Sequence, residues 1–72
     1  MMDNLAFRQA KNHIYGLAHN ISENGEAQNQ LLTNLQDTEI NMIAQGESNF
    51  KIISTLLTIV HDECQLIMRE RE

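Results

Sequence analysis

Proline is absent from the chain, and cysteine occurs once, at Cys64. A single thiol excludes an internal disulfide and a cysteine-rich zinc cluster, so no staple of either kind secures the fold. It also fits a reducing compartment, and a cytoplasmic location is expected. A signal peptide is not visible, because Met1-Met2-Asp3-Asn4 lacks both a basic stretch and an apolar run. Long apolar runs are missing as well. The longest nearly uncharged stretch, Ile52 to His61, falls far short of the ~20 residues that span a bilayer, and it contains Ser54, Thr55 and Thr58. No membrane partner is expected.

Positive charge is scarce. Five basic residues stand against ten acidic ones, for a formal charge of −5. Between Lys11 and Lys51 there is no Lys or Arg, while Glu23, Glu26, Asp37, Glu39 and Glu47 all fall in that stretch. Nucleic-acid binding needs cations to neutralise phosphates, so this balance argues against it. The same stretch would attract a basic protein face, and these five acids form the expected partner-facing surface.

Chemistry-bearing constellations are equally thin. His61 and Cys64 stand three residues apart, with Asp62 and Glu63 between them, which is too few ligands for a metal site. His13 and His19 are six residues apart and fall on different helical faces. No His-Glu-x-x-His, Cys-x-x-Cys or Glu-x-x-His pattern occurs. Cys64 with His61 is the only local nucleophile–base pair, and it has no third group to orient it. Asp62 and Glu63 are adjacent and diverge on a helix, which is the wrong arrangement for paired acid–base work. The expectation is a protein that is not an enzyme, with no metal and no cofactor.

What the chain does contain is helical periodicity. Glycines at 25 and 46 punctuate the pattern, where glycine often ends a helix in the left-handed conformation. Three helices are predicted, over residues 4–22, 26–45 and 48–69, within one all-α domain covering 1–72. Asp3 or Asn4 could cap the first and Ser48 the third. The first carries a narrow stripe, Phe7, Ala10, Ile14, Leu17 and Ile21, at 3-4 spacing. The second groups Leu31, Leu32, Leu35, Met42 and Ile43, leaves Ile40 pointing away, and invites a break near Asp37.

The third helix is the most apolar. Phe50, Ile53, Leu57, Val60, Cys64 and Ile67 form one row, and Ile52, Leu56, Ile59 and Leu66 run beside it. Together they cover roughly 200° of the helix, about twice the width a surface helix needs. A 72-residue chain also lies in the size range where one core seldom supplies more than about 3–5 kcal/mol. The second helix looks too polar to cover its share. A three-helix bundle, or a hairpin plus a helix, completed by dimerisation through the third helix is therefore expected, with Phe50, Ile52, Ile53, Leu56, Leu57, Ile59, Val60 and Ile67 as the self-association surface. Glu63 and Glu39 fall inside apolar arcs, where a buried acid could meet an Arg, Lys or His across an interface and fix register.

The functional expectation is a small acidic helical regulator, adaptor or inhibitor that acts by binding a protein with a basic surface and associates with itself as a homodimer or higher oligomer. The alternative is a co-chaperone or hetero-complex subunit that shields a client's amphipathic helix.

Overall fold

The computed structural model describes residues 3–22 and 24–71, so Glu23 lies outside the described residues. Three helices pack against one another: α1 (Asn4–Ile21), α2 (Gly25–Ala44) and α3 (Asn49–Arg71). No strand occurs among the described residues, and the fold is a small all-α bundle. Its extents are 40 × 19 × 17 Å, the length of one long helix by the width of two.

Each helix starts on a side-chain cap. The Ala6 amide donates to Asp3 Oδ1 at 2.7 Å, the Ala27 amide to Asn24 Oδ1 at 2.8 Å, and the Lys51 amide to Ser48 Oγ at 3.2 Å. In every case the oxygen satisfies one of the amide donors that a helix leaves free in its first turn. The two punctuating glycines behave differently. Gly46 takes φ 77° and closes α2: its amide donates to the Ile43 carbonyl and the Glu47 amide to the Met42 carbonyl, both at 3.0 Å. That pair of bonds is the Schellman arrangement, which favours glycine because a Cβ at positive φ is strained. Gly25 does not terminate a helix. It is the first residue of α2, next to the cap Asn24, with no positive φ.

α2 runs unbroken through Gln36-Asp37-Thr38, as one continuous helix, and the alternative of a break near Asp37 is not realised. Its Leu31 and Leu35 are buried, Leu32 and Met42 pack against the core, and Ile40 and Ile43 are exposed. The β-branched stretch of α3 stays helical. There the Thr55 hydroxyl donates to the Lys51 carbonyl and the Thr58 hydroxyl to the Ser54 carbonyl, both at 2.9 Å, so neither competes for an amide elsewhere.

The core is a single cluster of Ile14 and Ala18 from α1, Leu31 and Leu35 from α2, and Ile52, Leu56 and Val60 from α3. The four-residue spacing of the α3 trio puts it on one narrow face, and both neighbours converge on that face. Ile52, Leu56 and Val60 are therefore interior residues of the single chain and not a surface for a second one, which corrects the expectation for these three. The expected α1 stripe overlooked Ala18, which is completely buried. It extends the Ile14 face by one turn.

Candidate interaction surfaces

The two acids that fall inside apolar arcs meet different fates. Glu39, its side chain 13% exposed, receives Lys11 Nζ at 3.0 Å on one carboxylate oxygen and the Tyr15 hydroxyl at 3.0 Å on the other. Both partners come from α1, so the carboxylate bridges α1 and α2 within one chain. Lys11 Nζ also sits 5.3 Å from the centre of the Phe7 ring, which adds a cation–π contact. Burial first, then the hydrogen bond to Glu39 and its charge, push the Tyr15 hydroxyl well above the usual tyrosine range. Glu39 thus leaves the expected partner-facing surface and becomes part of the bundle's internal wiring.

Glu63 has no such partner. It is half-buried on α3 and lines a cleft between α2 and α3 of about 380 Å³, together with Ala27, Gln30, Leu31, Asn34, Ile59, Asp62 and Leu66. No Lys or Arg lies within ion-pair distance of Asp62 or Glu63 among the described residues. Asp62 has only the exposed His61 ring, 4.0 Å away. Gln30 and Asn34 also line an adjoining depression on α2 with Asn29, Thr33 and Asp37, so the acidic character continues along that side of the bundle.

Of the remaining middle acids, Glu26 and Asp37 are exposed. Glu47 is half-buried and pairs with Lys51 at 2.9 Å, an i, i+4 bridge across the start of α3. The uniformly negative middle expected from the sequence therefore breaks up. Glu39 and Glu47 are spent on cations of the same chain, while Asp62 and Glu63, which lie outside that stretch, carry unspent charge.

On α3, the expected self-association residues divide by face. Ile53, Ile59 and Ile67 are half-buried, with the first two packed against the core. Phe50 is 67% exposed, Leu57 48% and Met68 57%. Phe50, Ser54, Leu57, His61, Cys64 and Met68 follow one another at spacings of 4-3-4-3-4, the pattern of a helix-pairing seam. Cys64 on this seam is half-buried, and the other five are exposed. Beside the seam, Leu17 and Ile21 of α1 with Leu57, Val60, His61 and Cys64 line a shallow apolar groove of about 330 Å³. The sequence reading merged this seam with the core face because the two rows of α3 adjoin. Only the positions of α1 and α2 tell them apart.

No cluster of three or more metal-ligating side chains occurs among the described residues. No helix among them is long and apolar enough to cross a membrane. Comparison with known protein families, curated proteins and solved structures finds no match to this chain.

Proposed function

We propose that the protein is a helical protein–protein interaction module that associates with itself along the outward seam of α3. The observation that carries this reading is the a/d-like spacing of Phe50, Leu57, Cys64 and Met68 on a face that α1 and α2 leave uncovered. A helix whose opposite face is already in the core gains nothing internally from a second apolar seam. Pairing two copies of the seam would bury Phe50 and Leu57 against each other and extend the groove wall of Leu17 and Ile21. Ser54 and His61 interrupt the seam with polar positions, which favours one register over its neighbours.

The acidic charge not spent inside the chain, on Glu26, Asp37, Asp62 and Glu63, suits a basic protein face. In this reading the protein acts by binding, as a regulator or adaptor.

Light scattering on a dilution series of wild type and Leu57→Glu tests the reading. A wild-type dimer that becomes a monomer in Leu57→Glu, with helicity unchanged by circular dichroism, supports self-association through the seam. A wild type that stays monomeric at every concentration, and gains mass only when co-expressed with a client helix, turns the same seam into the surface of a hetero-complex. A monomer with no partner for the seam refutes both.

A further inference from the structure

Glu39 and Glu63 offer a comparison internal to the molecule. Both are half-buried acids set among apolar side chains. Glu39 receives a lysine and a tyrosine hydroxyl from its own chain. Glu63 receives neither. It stands at the wall of the α2–α3 cleft, whose apolar lining is Ala27, Leu31, Ile59 and Leu66, with Asp62 beside it and Gln30 and Asn34 across from it. Removing a carboxylate partly from water without supplying a cation is unfavourable, and a partner that brings the cation recovers that cost.

We infer that the α2–α3 cleft is the docking site for a basic amphipathic helix of a partner protein, with an apolar side chain seated against Leu31, Ile59 and Leu66 and an Arg or Lys paired with Glu63 and Asp62. Charge complementarity selects this occupant. The wall carries two carboxylates, and the adjoining depression adds Asp37 with the uncharged Asn29 and Thr33. Arg69 lines a separate depression with Asp62, Gln65 and Leu66 and makes no ion pair with either acid. Gln30 and Asn34 present amides that can accept from a guanidinium or donate to a helix end. A second copy of this chain is a poor occupant of the cleft, because its Lys11 and Lys51 are already paired with Glu39 and Glu47 and its α2 carries no Lys or Arg to bring to Glu63. The inference rests on the interaction reading above but uses a different face from the α3 seam, so each can fail alone.

The test is a titration of the full isotopically labelled chain, followed by amide NMR shifts. The probe is a synthetic helical peptide carrying leucine and arginine on one face. Two controls have the same composition: one scrambled to remove the amphipathic face, and one with glutamate in place of arginine. The expected result is shifts centred on Ala27, Gln30, Asn34, Ile59, Glu63 and Leu66, with neither control binding at that site. Glu63→Gln should weaken the probe about tenfold, and Asp3→Asn, which removes one charge but keeps a capping oxygen on α1 and lines no wall of the cleft, should leave it unchanged. Equal binding of the scrambled peptide, unchanged affinity in Glu63→Gln, absence of binding, or shifts centred on the Phe50–Met68 seam would each overturn the proposal. Light scattering on the same wild-type samples reports self-association separately. A failed cleft with an intact dimer leaves the seam reading standing, and the converse outcome leaves the cleft standing.

Discussion

Leu56 and Leu57 are neighbours in sequence with opposite surroundings, and replacing each by alanine separates the core from the seam. Leu56 is fully buried among side chains of all three helices, whereas Leu57 is about half exposed. Truncating a fully buried leucine costs roughly 2–5 kcal/mol, the lost transfer energy plus the cavity left behind. The bundle has only about 3–5 kcal/mol to lose, so Leu56→Ala should be largely unfolded in buffer alone. Leu57→Ala removes surface of which half is already wet, and should cost the single chain about 0.5–1 kcal/mol. The assay is urea denaturation followed by circular dichroism at two protein concentrations. If the seam pairs two chains, the wild-type midpoint rises with concentration and that rise disappears in Leu57→Ala, because association stabilises the folded state by mass action. Equal costs for the two variants would refute the placement of Leu56 inside and Leu57 outside.

Three further variants probe the backbone and the α1–α2 bridge. Gly46→Ala forces a Cβ into φ 77° and should destabilise by about 1 kcal/mol, while Gly16→Ala, on an exposed face of α1 with nothing near the new methyl, should stabilise by about 0.5–1 kcal/mol; thermal melts of both check the sign. Tyr15 ionises near pH 10 when unfolded and higher when folded, so the folded state keeps its proton longer. The stability this contributes is fully present below about pH 10 and is lost as the pH rises above it. Wild type should therefore weaken in alkaline melts more steeply than Tyr15→Phe, and identical slopes would remove the Glu39 bridge from the account.

The helices were legible in the sequence to within a few residues, because caps, glycine and apolar spacing all agree at Asp3, Ser48 and Gly46. The destination of the wide apolar arc on α3 was not. An arc of that width can mean a second chain, or two neighbours of the same chain converging from either side, and periodicity within one helix cannot distinguish these. The choice turned on α2, whose polar appearance concealed that Leu31 and Leu35 suffice to cover α3. Glu39 misled in the same way. It reads as a defect in an apolar face until antiparallel packing brings Lys11 and Tyr15 opposite it, a relation between residues 24 to 28 positions apart. Ala18 escaped notice because a methyl group adds little to a hydrophobic stripe, although it is completely buried in the core. The cleft around Glu63 depends on the spacing of two helices, and no single segment could reveal it.

The turn at Gly46 also bears on how quickly the chain finds its structure. Residues 45–48 join α2 to α3 with hydrogen bonds that are complete within the turn, and Glu47 bridges to Lys51 just beyond it. The α2–α3 hairpin can thus assemble from contacts between residues close along the chain, without first closing a long loop. Such a hairpin presents Leu31, Leu35, Ile52 and Leu56 as a ready surface for α1, which docks through Ile14 and Ala18 and is then latched by Lys11 and Tyr15 on Glu39. In that order of events a change at Gly46 slows folding, whereas a change at Ile14 chiefly hastens unfolding, and the two arms of a denaturant chevron separate them. Low contact order of this kind places folding in about microseconds to milliseconds, which leaves the core face of α3, Ile52, Leu56 and Val60, little time exposed before α1 and α2 close over it.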